Sequence, residues 1–99
     1  MHFQQISQTD AKQVIASLNP AVLDIRDAAA FAAGHIDGAQ ALNNENLKHV
    51  TDGLEFTTPI IVYCYHGNSS QSAAQFLVDQ GFEEVYSLMG GYTAWSAGQ

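Results

Sequence analysis

Pro59-Ile60-Ile61-Val62-Tyr63-Cys64-Tyr65-His66-Gly67-Asn68-Ser69-Ser70 joins the chain's densest run of β-branched and aromatic residues to its only cysteine, and then to a small, polar loop. Residues 59–63 read as a buried strand, bounded by Pro59. Residues 70–80 read as a helix. Ala73, Ala74, Leu77 and Val78 share one apolar face, and Gly81 stands where the helix should stop. A strand that passes through a tight loop into a helix is the repeating unit of a parallel α/β sheet.

The flanking segments continue the alternation. Residues 2–6 read as a short first strand. Ser7 caps a following helix, with Asp10 near its positive end, and Asn19-Pro20 stops it. Residues 21–25 form a second apolar strand. Asp27 caps a short helix through Phe31, ended by Gly34. Residues 35–39 read as a turn and then a strand, and residues 43–50 as a helix broken at Asp52-Gly53. Residues 84–88 are a last strand, after which Gly90-Gly91 turns the chain into a terminal helical piece carrying Trp95. The expectation is one α/β domain over residues 1–99, with a small, mostly parallel central sheet flanked by helices.

Composition excludes several functions. The 99 residues are 46% hydrophobic and 13% charged, a globular balance. No apolar run approaches the roughly 20 residues that a spanning helix requires, and residues 1–5 do not resemble a secretory leader. Lys12, Arg26 and Lys48 are the only basic residues apart from histidine, and the net charge is −7. Nucleic acid and anionic membranes are therefore unfavourable partners. His2, His35, His49 and His66 show no metal-ligand spacing, so no metal site is expected. A lone Cys64 cannot form an internal disulfide, which suits a reducing, cytoplasmic compartment.

In an open parallel sheet, ligands gather beyond the carboxyl ends of the strands. Cys64 stands at such an end. The N–H groups of a tight loop and of a helix start converge there, and a pocket of that kind favours a thiolate. Gly67 lets the backbone bend close to a ligand. Ser69 and Ser70 offer hydroxyls to the site or a cap to the helix. A phosphatase-type loop needs an arginine six positions after the cysteine to clamp phosphoryl oxygens, but Ser70 stands there and the loop has no Lys or Arg. A persulfide, one soft negative charge, suits such donors better.

Four segments together resemble the single-domain rhodaneses, in particular the GlpE-type thiosulfate sulfurtransferases. They are Asp24-Ile25-Arg26, Gly34-His35-Ile36-Asp37-Gly38-Ala39, the loop from Cys64 to Ser70, and Gly90-Gly91-Tyr92-Thr93-Ala94-Trp95. The resemblance implies the rhodanese-like three-layer fold. It also implies an enzyme in which Cys64 takes the outer sulfur of thiosulfate, releases sulfite, and passes the sulfur to a thiophilic acceptor. That acceptor is cyanide in the assay and a thiol or dithiol in the cell, including thioredoxin-like proteins. Tyr65, His66, Gly67, Asn68, Ser69 and Ser70 form the implied persulfide-binding loop. No metal or organic cofactor is needed, and a monomer or weak dimer is expected. The alternative from another class is a non-catalytic sulfur carrier or interaction module of the same fold.

Three supporting residues have two readings each. Asp24 and Arg26, two apart on a strand, make a structural salt bridge tying strand to helix, or Arg26 supplies a positive field to the loop. His35 makes a fixed hydrogen bond or acts as an acid or base. Tyr65 and His66 stand where larger rhodaneses carry Arg or Lys. Weak donor binding is therefore expected, weaker still when the His66 imidazole is neutral.

Overall fold

The computed structural model describes residues 2–98. The expected domain also takes in Met1 and Gln99, which lie outside the described residues. Five strands alternate with five helices: β1 (Gln4–Ile6), α1 (Gln8–Leu18), β2 (Ala21–Asp24), α2 (Ala28–Ala33), β3 (Gln40–Ala41), α3 (Leu47–Asp52), β4 (Ile60–Tyr63), α4 (Ser69–Asp79), β5 (Val85–Leu88) and α5 (Gly91–Ala97). They form one sheet of order β1-β5-β4-β2-β3 in which every pairing is parallel.

β4 lies at the centre because it is apolar on both faces. All four of its residues are buried, and successive side chains point to opposite sides. Ile60 and Val62 join Leu23, Val50, Ala74, Leu77 and Phe82, under α3 and α4. Ile61 and Tyr63 join Ile6, Ala11, Val22, Ile36 and Leu88, with Tyr92 and Trp95 of α5 packed against them. Three layers result: helices, sheet, helices. Burial on two faces is the main stabilising contribution, at roughly 25 cal/mol per Å² of apolar surface removed from water.

The helix starts obey their caps. Ser7 Oγ accepts from the Asp10 amide at 3.1 Å, and an Asp27 carboxylate oxygen accepts from the Ala30 amide at 2.8 Å. Asn19 ends α1 in the left-handed region with φ 49°. α3 differs from expectation, beginning at Leu47 rather than near Asn43. The Asn43 side chain accepts from the amides of Glu45 and Asn46, while the Asn46 side chain accepts from the Asn43 amide and donates to the Ala41 carbonyl. These local bonds offer the backbone a turn in place of a helix. The third strand is likewise only Gln40–Ala41, placed after the turn at residues 37–38.

Candidate active site

Cys64 follows the last residue of β4 and is 6% exposed. The path after it alternates in burial: Cys64, Gly67 and Ser70 are buried, whereas Tyr65, His66, Asn68 and Ser69 are exposed. The chain therefore coils around the sulfur and turns four side chains outward. Gly67 makes this path possible. Its φ is +90°, and a Cβ there would lie 2.9 Å from the Gly90 nitrogen and 3.1 Å from the Leu88 oxygen.

The amides of Gly67 and Ser70 donate to Cys64 Sγ at 3.2 and 3.3 Å. The Ser70 hydroxyl lies 3.5 Å from the same sulfur. Ser70 belongs to the first turn of α4, and the N-terminal residue Asn68 makes no side-chain cap. The sulfur thus takes the place of a capping oxygen, at the positive pole of the helix. Ser69 and Ser70 do not cap the helix, as they were expected to be able to do, because both lie inside it.

Charge on the sulfur reflects opposing influences. Burial, the largest, disfavours the thiolate. The Ser70 hydroxyl and the amides of Ser70, Gly67 and His66 favour it, and together they hold the Cys64 thiol below its ordinary range.

A second helix start organises the outside of the loop. The amides of Tyr92 and Thr93, in the first turn of α5, donate to the carbonyls of Cys64 at 2.8 Å and Tyr65 at 3.0 Å. The Gln71 side chain donates to the Gly67 carbonyl at 2.9 Å. With these carbonyls held outward, the loop's N–H groups face inward. Gly91 permits the approach: its φ is +59°, and a Cβ would lie 2.5 Å from the Tyr65 oxygen and 2.6 Å from that of Cys64. Gly90-Gly91 is therefore more than a turn.

Asp24 and Arg26 are both buried and pair with each other, the closest contact being 2.6 Å. β2 ends at Asp24, so the expected shared strand face does not describe them. Arg26 lies just beyond the strand end, and its guanidinium also donates to the Gly34 carbonyl at 2.7 Å, which joins the strand end to the end of α2. The cation is enclosed by the rings of Tyr63, Tyr65 and Tyr92, closest to Tyr92 at 4.2 Å from its centroid. Its side chain is 4% exposed and its charge is matched by Asp24, so its field at the loop is largely neutralised. The Asp24 hydrogen bond is the largest influence on the guanidinium and raises its pKa further.

His35 is bound through Nδ1 to the Phe31 carbonyl at 2.8 Å and stacked on the Phe31 ring, with centroids 3.9 Å apart. This is the fixed hydrogen bond that was one of its two readings. Tyr65, 43% exposed, donates its hydroxyl to Asp27 at 2.8 Å, and so ties the loop to the cap of α2. Beside the loop, a cavity of about 600 Å³ runs between α3 and α4, lined by Ile25, Leu42, Leu47, Ala73, Phe76 and Leu77 with Arg26, Asp27, Asn43 and Asn44. It includes none of residues 64–70.

Besides Gln71, the sequence reading missed a second residue. Ser87 on β5 is 1% exposed, and its hydroxyl lies 2.8 Å from the Ser70 hydroxyl. A serine within an otherwise apolar strand was the available signal.

Among the described residues no cluster of histidine, cysteine and carboxylate side chains could hold a metal ion, and no helix is long and apolar enough to cross a membrane. A family model described as a rhodanese-like domain matches residues 7–98. The thiosulfate sulfurtransferase GlpE of Pseudoalteromonas translucida is 48% identical over 97 residues, covering 98% of this chain and 92% of the relative. That of Shewanella oneidensis is 51% identical over 92 residues, covering 93% and 85%. Among solved structures, the rhodanese-like domain of an Anabaena protein superposes with a TM-score of 0.83 at 32% identity, covering 94% of this chain and 73% of that one.

Proposed function

The chain belongs to the rhodanese-like family, and on that premise we propose how its chemistry runs. It is a sulfurtransferase that takes the outer sulfur of thiosulfate. Cys64 is the nucleophile. Its thiolate attacks the outer sulfur, a new S–S bond forms, the old one breaks, and sulfite leaves with the electron pair. The outer sulfur of the resulting persulfide is then attacked by a thiophilic acceptor, and the Cys64 thiolate departs. One displacement becomes two, so ping-pong kinetics follow.

One observation carries this reading: two amides and a hydroxyl converge on Cys64 Sγ, where negative charge must reside before each attack and after each departure. Gly67 and Ser70 act directly on the sulfur. Tyr65, His66, Asn68 and Ser69 contribute the path of the backbone and shape the outer mouth. Arg26, paired with Asp24, supports the loop through the Tyr65 ring, His35 is fixed against α2, and none of the three takes part in proton transfer. The absence of Lys and Arg from residues 64–70 speaks against phosphoryl transfer.

With Cys64 as its single cysteine, the chain has no partner thiol to resolve its own persulfide. The acceptor must come from outside: cyanide in an assay, and thiols or thioredoxin-like dithiols in the cell. A lone reactive thiol also suits the reducing cytoplasm. A monomer or weak dimer suffices for this chemistry, since the groups proposed to act on the sulfur lie within one chain.

Mass spectrometry of the intact protein tests this. Thiosulfate adds the mass of one sulfur atom, and a thiol removes it. Cys64→Ser takes up none and forms no thiocyanate. Labelling that persists in Cys64→Ser overturns the assignment.

A further inference from the structure

We propose that Ser87 is a positioning residue for the sulfur chemistry, holding the Ser70 hydroxyl so that its proton points at Cys64 Sγ. The inference deepens the persulfide reading and rests on it.

The geometry is a chain of three atoms. Cys64 Sγ lies 3.5 Å from Ser70 Oγ, which lies 2.8 Å from Ser87 Oγ. Ser70 is fully buried and Ser87 is 1% exposed, so water does not compete for either hydroxyl. Among the described residues the Ser87 hydroxyl has no other hydrogen-bond partner. Its backbone is held between β1 and β4 in the parallel sheet, which fixes where the hydroxyl is carried.

Counting hydrogens decides the direction. The chain has two contacts. With a thiolate there are two hydrogens: Ser87 donates to Ser70, and Ser70 donates to the sulfur. Every link is then filled. With a neutral thiol there are three hydrogens for two links. One hydrogen, that of the thiol or that of the Ser87 hydroxyl according to which way the chain runs, is then left with no acceptor in the chain. A buried donor left unpaired is costly, so the pair of hydroxyls favours the charged sulfur. Without Ser87, the Ser70 hydrogen loses the partner that orients it and is free to turn elsewhere.

The other ionisable groups at this end of the sheet stand apart from the relay. Asp24 and Arg26 pair with each other, the Tyr63 hydroxyl accepts from the Ile36 amide, Tyr65 is bound to Asp27, and the His66 side chain is exposed. None is altered by a change at Ser87, so a change in sulfur titration reports the hydroxyl.

The experiment measures the rate of Cys64 alkylation by iodoacetamide against pH in the full chain. It compares wild type, Ser87→Ala, Ser70→Ala and the double variant. Ser87→Ala is expected to move the profile to higher pH by about half to one unit. Ser70→Ala moves it at least as far, and adding Ser87→Ala to Ser70→Ala moves it no further. An unmoved profile in Ser87→Ala overturns the proposal. So does an equal Ser87→Ala shift in the Ser70→Ala background, which would mean that Ser87 acts by packing alone. Should Ser87→Ala fail to fold, Ser87→Thr keeps a hydroxyl on the same carbon and is expected to keep the wild-type profile. A shift in it as large as that of Ser70→Ala overturns the proposal. Alkylation needs no thiosulfate, so failure of the sulfurtransferase reading, seen as absent sulfur uptake by wild type, is distinguishable from failure of the relay.

Discussion

The amide of Tyr92 donates to the carbonyl of Cys64 at 2.8 Å, so the start of the last helix is fastened to the residue that carries the sulfur. The contact works only because Gly91, next to it, lets α5 lie directly on the loop. Gly91→Ala is expected to destabilise the protein by about 1–3 kcal/mol through overpacking and a strained left-handed backbone. Sulfur uptake should suffer more than folding does, because the loop itself is displaced. Urea unfolding together with persulfide mass measurement checks this, and a variant with wild-type uptake would show the fastening to be dispensable.

The lowered Cys64 pKa has a signed consequence. The sulfur stays ionised to lower pH than an ordinary thiol, and alkylation and sulfur transfer fall on the acid side as it is protonated. For stability, a folded pKa below the unfolded one adds a contribution that is complete above the unfolded pKa, near 8.5 for a free thiol, and is lost as pH falls through the folded value. Cys64→Ala removes this contribution. The gap in stability between wild type and Cys64→Ala should therefore widen as pH rises through that window, as denaturation at several pH values would reveal. A constant gap would contradict it.

Asp24 and Arg26 form a buried pair whose halves depend on each other. Asp24→Ala leaves the guanidinium uncompensated among three tyrosine rings and is expected to cost about 3–5 kcal/mol, much of the stability of a domain this size. Replacing both residues together by apolar ones of similar volume should cost less than Asp24→Ala alone. Thermal unfolding of the single and double variants decides the matter. A double variant as damaged as the single one would point to the tyrosine cage, rather than charge balance, as the source of stability.

Thiosulfate is a dianion approaching a protein of net charge −7 through a loop without Lys or Arg. Its kcat/KM should rise with moderate salt, which screens the repulsion, and His66→Gln should raise KM by about two- to threefold with little change in kcat. Steady-state kinetics over a range of ionic strength test both. A fall in kcat/KM with salt would mean that an attractive field dominates.

Much of the fold was legible because β4 and α4 carry unambiguous periodicities, and Ser7, Asp27 and Asn19-Pro20 mark helix ends by chemistry local to the chain. The position of Cys64 at a strand end was legible for the same reason. What escaped was long-range or competitive. The start of α3 depended on Asn43 and Asn46 bonding to their own backbone. The true partners of Arg26 include Gly34, across α2, and Tyr92, far off in sequence. Ser87 gains meaning only when β5 lies beside α4. The service that α5 performs for the Cys64 and Tyr65 carbonyls could not be read from Gly90-Gly91 alone.

Because most donors to the sulfur are main-chain amides, and the side chains of Tyr65, His66, Asn68 and Ser69 point away from it, the loop separates two duties. Changing an outward residue alters what the rim presents to an incoming molecule while the hold on the anion persists, since no side-chain replacement other than proline deletes a peptide N–H. The same scaffold can thus be retuned toward a different visitor by surface exchanges alone, with its chemistry inherited intact.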